Sequence, residues 1–193
     1  MDSITAAARA EAPLHVFTPD QVMDLATAAS HAAAVQAEDP GVAEELAYWT
    51  GPAAPEGTGL PAGVLPDHPA QTTVPGRDFG RTGTLPIGSG HDRTAVYAMI
   101  FGDTDGPQSW LRSGEALSAA WLTATTFGVS VVPLSGVIEV VYTRQSLRRL
   151  ISNLGYPHLV LRLGVANPGQ ARDAHTSRLA TRLTVDTSAE RLT

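Results

Sequence analysis

Apolar positions along the chain alternate between helical spacing, unbroken β-branched runs and long polar interruptions. Residues 2–12 are rich in alanine, a strong helix former, and predict a short first helix. Leu14 to Phe17 reads as a short strand. Thr18 is a good N-cap and Pro19 suits the first helical position, so a second helix should run to about Glu38. Val22, Leu25, Ala26, Ala29, Ala33 and Val35 give it an apolar stripe. Asp39-Pro40 repeats the same start signal for a helix that carries Leu46 and Trp49 and closes at Gly51.

Residues 51–92 interrupt this regularity, holding seven of the fourteen prolines and nine of the eighteen glycines. A segment of that composition inside a domain predicts a long functional loop, with closure over a site as one use. Thr94 to Phe101 is apolar throughout, which predicts a central strand covered on both faces. Pro107 starts and Gly128 stops a long helix, with Leu117, Trp121, Ala124 and Gly128 expected on one face. Its small residues Gly114, Ser118, Ala119 and Thr125 would let a second helix or backbone approach closely. A strand over 129–132, a helix over 143–153 and a strand over 158–163 complete an α+β arrangement, a mixed sheet flanked by helices. The tail beyond Asn167-Pro168-Gly169 is polar, so residues 1–165 are expected to form the domain and 166–193 a C-terminal arm.

A chain of 193 residues is long enough to bury a sizeable core. It contains no cysteine, which excludes disulfides, thiolate metal sites and cysteine nucleophiles. No apolar run reaches the roughly 18 residues of a membrane span, and MDSITAAARAEA does not read as a signal peptide, so a cytoplasmic protein is expected. The net charge of −6 is uneven. Residues 1–76 hold ten acids and one base, net −9, whereas the remainder holds nine acids and twelve arginines, net +3. An anionic ligand is therefore expected on the C-terminal side. Nucleic acid is not expected as a partner, because no arginine cluster is interleaved with aromatics.

The candidate chemistry lies at the end of the 129–132 strand, in Pro133-Leu134-Ser135-Gly136. Taken alone, this reads first as an ordinary strand-to-helix connection. It is followed, however, by Gly155-Tyr156 and the strand from His158 to Leu163, and it is preceded by Val74-Pro75-Gly76-Arg77-Asp78-Phe79. In these ordered pieces the chain resembles the FMN-dependent nitroreductase family, in particular a branch built from two nitroreductase-like halves, of which this would be the second. The resemblance implies a nitroreductase-like fold with the 107–127 helix at a homodimer interface. It also implies that Pro133, Leu134, Ser135 and Gly136 lie along the N5 and O4 edge of FMN, through backbone amides. Thr176-Ser177-Arg178-Leu179 matches the Ser-Arg-Leu core of a family tail element, which makes Arg178 the candidate phosphate ligand by resemblance. A solvated tail arginine explains the same residue. The Arg-Ser-x-Arg type motif of the family's N-terminal helix has no counterpart before Arg77.

The activity so implied is hydride transfer from NAD(P)H through the flavin to a small nitroaromatic or quinone-like acceptor. The side chains need only bind and orient the flavin, so no catalytic side chain and no metal are expected. Two alternatives stay open: a protein that sequesters flavin without turnover, and a flavin-free remnant that only dimerises. Elsewhere the sequence offers little. Arg144, Arg148 and Arg149 predict a solvated basic helix face. The six histidines lack ligand-like spacing, and a loop hydrogen bond accounts for the His91-Asp92 pair. Neither a Gly-x-Ser-x-Gly elbow nor a phosphate-binding glycine loop occurs.

Overall fold

The computed structural model describes residues 1–51, 58–88, 92–165, 176 and 179–184. By contact, the chain divides into two units. The first comprises Met1–Glu38, Ala70–Arg77 and Gly88–Ala171; the second comprises Asp39–Pro69, Asp78–Ile87 and Arg172–Thr193.

The first unit is built on a four-stranded sheet of order β1-β2-β4-β3. Its strands are β1 (Leu14–Val16), β2 (Val96–Gly102), β3 (Ser130–Leu134) and β4 (Tyr156–Gly164). The α+β expectation is met, but all three strand pairings are antiparallel where the sequence suggested a mixed sheet. The unbroken apolar run of β2 reflects cover on both faces, which reads the same in a parallel and an antiparallel sheet. Ala98 and Ile100 pack with α1 (Asp2–Arg9) and α4 (Pro107–Thr126), whereas Tyr97 and Met99 face a second cluster. That cluster is completed by α2 (Pro19–Ala37), α5 (Gly136–Glu139), α6 (Val141–Leu150) and the buried Val74. Each fully buried aliphatic side chain here, such as Leu25, Ile100 or Leu161, contributes about 1.5–3 kcal/mol.

The helix signals hold. Thr18 and Gln21 form a reciprocal capping box at the start of α2. Gly128 adopts φ +66° just past α4, a conformation that costs glycine little. The buried stripe of α4 is Ser113, Ala116, Ala120 and Ala124, and it shares only Ala124 with the face through Leu117, Trp121 and Gly128. Alanine wins there because α1 lies against α4, with Ala8 fully buried in the same cluster. Trp121, Leu111, Leu122 and Phe127 are left exposed.

The second unit contains α3 (Pro40–Thr50), capped by Asp39 as its sequence predicts. The proline-rich segment there is ordered by its own backbone. A 3-10 turn spans Ala62–Val64, Pro66 bridges Leu85, and the amides of Thr84 and Leu85 donate to the carbonyls of Ala62 and Leu65. The tail contributes one helical turn, α7 (Thr181–Thr184).

Candidate functional site

The residues singled out in the sequence fall at the end of β3. Pro133 and Leu134 belong to the strand itself, paired with Leu161 and Val160. Proline is tolerated there because β3 is an edge strand and only one of its sides needs donors. Ser135 turns the chain into α5 with φ −78° and ψ −33°. The first amides of α5 have no intrahelical acceptor, as at any helix start. A Cβ on Gly136 would meet Gln36 Oε1 of α2 at 3.0 Å, so glycine fits a close approach at this point. Gln36 donates to Glu139 at 2.6 Å, and the exposed Arg77 stands 3.8 Å from the same carboxylate. Arg178 lies outside the described residues.

Around this strand end the donor set fits the polar edge of a flavin. Main-chain amides and a residue without a side chain are what such an edge requires. Arg77 is the cation that the structure places beside α5.

A second group of polar residues gathers at the same end of the sheet, around a cleft of about 350 Å³. Its foundation is an irregularity in the β2–β4 ladder. Ile100 pairs with Leu159 and Phe101 with Pro157, which leaves His158 as the extra residue of a bulge. The imidazole is buried, and its Nδ1 lies 2.8 Å from Ser113 Oγ on α4. With the hydroxyl donating to Nδ1, the ring proton sits on Nε2, which faces Asp105 Oδ1 at 3.6 Å without a well-formed hydrogen bond. Arg144 of α6 grips Asp105 bidentately at 2.7 and 2.8 Å, and Trp110 Nε1 donates to the same carboxylate at 2.8 Å.

The electrostatics follow from these contacts. Hydrogen bonding from Arg144, then from Trp110, lowers the Asp105 pKa to about 2. Burial, reinforced by the Arg144 charge, lowers the His158 pKa despite Asp105 and the Thr104 carbonyl. The cleft thus holds a self-neutralised ion pair and a neutral imidazole, beside the apolar Leu117, Ile138 and Leu159.

The sequence did not single out this cluster. Its members come from a loop, two helices and a strand, and only the bulge joins them. Arg144 and Arg148 depart from the solvated basic face expected of them: Arg144 Nε donates to the Pro157 carbonyl, and Arg148 Nε to that of Gly155. Arg148 also lies over the Tyr156 ring, 4.1 Å from its centroid. Asp92, expected in a loop pair with His91, is buried at the hub of a network. It accepts from Tyr97 Oη at 2.6 Å and from the Thr73 amide at 2.7 Å, and it pairs with Arg162 at 3.1 Å. His91 lies outside the described residues.

No protein-family model matches the chain. It is 33% identical over 129 residues to a Mycobacterium tuberculosis protein named "Putative NAD(P)H nitroreductase Rv3131", a match covering 63% of this chain and 36% of that one. The "Putative NAD(P)H nitroreductase acg" of the same organism is 31% identical over 157 residues, covering 79% of this chain and 46% of the relative. "Uncharacterized protein Rv3127", also from M. tuberculosis, is 31% identical over 175 residues, covering 86% and 49%. The chain spans half or less of the length of these relatives. Two of these three relatives are named as putative NAD(P)H nitroreductases, and this α+β chain is their distant homologue at 31–33% identity.

Proposed function

We propose that the chain is the second half of a two-half nitroreductase-like protein and serves FMN-dependent oxidoreduction, with NAD(P)H as donor and a nitroaromatic or quinone-like acceptor. The observation that carries this reading is the end of β3, where Ser135 and Gly136 open α5 beside Gln36, in a chain whose relatives are named as NAD(P)H nitroreductases. Bound there, FMN would supply the hydride-accepting and hydride-donating chemistry. The Ser135 and Gly136 amides would hold its polar edge, and Arg178, or Arg77 in its place, its phosphate. The exposed apolar face of α4, with Leu111, Trp121 and Leu122, would meet a second copy in a homodimer.

A flavin-free half that only dimerises is the second reading. It is favoured by Gln36, whose side chain already occupies the approach to Gly136. Denaturing the purified protein and recording the spectrum of the supernatant separates the two. FMN released at near-equimolar yield is expected. Ser135→Pro tests the contact itself: the φ of −78° suits proline, so the change removes a donor with little backbone strain. Flavin retention should then fall at least tenfold. Unchanged flavin in a folded Ser135→Pro protein would remove this strand end from the site, and a colourless wild type unable to bind added FMN would leave the flavin-free reading.

A further inference from the structure

The Asp105–His158 cleft has the features of a binding site in its own right, and none of them depends on flavin. A volume near 350 Å³ lies within the range of small-molecule pockets. The bulge re-aims His158 toward α4, a device found beside functional sites more often than elsewhere. His158 Nε2 is buried without a hydrogen-bond partner among the described residues. Such a group normally costs stability unless it is satisfied in some state of the protein.

Gly114 supplies an independent sign. It sits inside α4, one turn beyond Trp110, and a Cβ added to it would meet nothing within 4 Å. Glycine in a helix interior costs about 0.5–1 kcal/mol relative to alanine. Packing within the chain does not explain that cost, because no described residue occupies the space. What the missing side chain does is widen the cleft next to the indole ring. The ring itself is held in place by its hydrogen bond to Asp105.

We propose that this cleft binds an uncharged planar aromatic molecule of one or two rings, stacked on Trp110, with its polar edge at the Asp105–Arg144 pair. The aromatic character follows from the fixed indole and the apolar side chains of Leu117, Ile138 and Leu159. Neutrality follows from the bidentate ion pair, because an added charge of either sign would meet a partner already compensated. The pair still carries hydrogen-bonding capacity on both members, so a phenol or indole edge can be recognised.

The test is calorimetric and NMR titration of the purified protein with indole, using benzoate and benzylamine as charged probes of similar size. Saturable indole binding at roughly 0.1–1 mM is expected for so small a ligand, with both charged probes at least tenfold weaker. Gly114→Ala should retain binding. Gly114→Leu, a good helix former that fills the space, should weaken it tenfold or more. Asp105→Asn, which leaves the Arg144 charge uncompensated, should shift the preference toward benzoate. Absence of saturable indole binding, equal or tighter binding of a charged probe to the wild type, or a loss below tenfold in a folded Gly114→Leu protein would each overturn the proposal. An Asp105→Asn protein with an unchanged preference would do the same.

Discussion

Two carboxylates show how much a single residue's surroundings decide. Asp92 is buried, and burial alone would raise its pKa. Hydrogen bonds from Tyr97 and Thr73, with the Arg162 charge, outweigh that and hold it below the usual carboxylate value. Tyr97→Phe deletes one of those donors and should destabilise the fold by about 1–3 kcal/mol at pH 7, read from urea denaturation. Because a depressed carboxylate stabilises only while ionised, the penalty should shrink once the pH falls below about 4. A penalty that stays constant with pH would show that the Tyr97 hydroxyl acts by packing rather than by stabilising the ionised Asp92. Asp105 behaves in the same sense at a more exposed place. Its folded pKa of about 2 lies below the ordinary value near 3.9. The stability it contributes is complete above about pH 4 and is lost as the pH falls through 2. Asp105→Asn should therefore flatten the decline of Tm between those limits, and an unaltered acid limb would show that the ion pair is not coupled to folding. Neither role was legible in the sequence. Asp92 looked like half of a loop pair with His91, and Asp105 was not singled out.

Elements were far more legible than residues, because each carries its own local signal. Thr18, Asp39, Pro107 and Gly128 mark helix ends by chemistry that acts within a few residues, and the structure follows them. Strand direction was not readable, since two-sided burial gives β2 the same apolar run in either orientation. The buried face of α4 was not readable for a related reason. Periodicity identifies several faces on a helix rich in alanine, and only the approach of α1 selects the one through Ala116, Ala120 and Ala124. Pro133 was placed in a turn but lies within an edge strand, where its missing amide is harmless. The bulge at His158 lies beyond any local pattern, because it exists only in the pairing of β4 with β2.

At the scale of the molecule, the exposed side of α4 dominates. Leu111, Trp121 and Leu122 place three large apolar side chains on its exposed side, the kind of patch that marks an interaction surface. If this face joins two copies, Leu122→Asp should convert a dimer into a monomer in light scattering while circular dichroism stays unchanged. A wild type that is already monomeric at micromolar concentration would assign the face to another partner, such as the remaining half of a longer chain. The relatives are about twice as long as the stretch matched here, so that alternative has a concrete meaning. The family resemblance suggested the helix as an interface, and its periodicity did not say which stripe is buried. Its two faces could be told apart only once α1 occupied one of them.

The arginines at the start of β4 have one more effect. β3 pairs with β4 only as far as Val160, so Tyr156 to Leu159 extend beyond that neighbour. There the carbonyls of Gly155 and Pro157 are engaged by the guanidinium groups of Arg148 and Arg144, side chains standing where another strand's amides could otherwise pair. An unguarded strand end of this kind is a template for aggregation, and charge is the usual protection. Two residues that first look like a solvated basic face thus satisfy carbonyls at a strand end that β3 leaves unpaired.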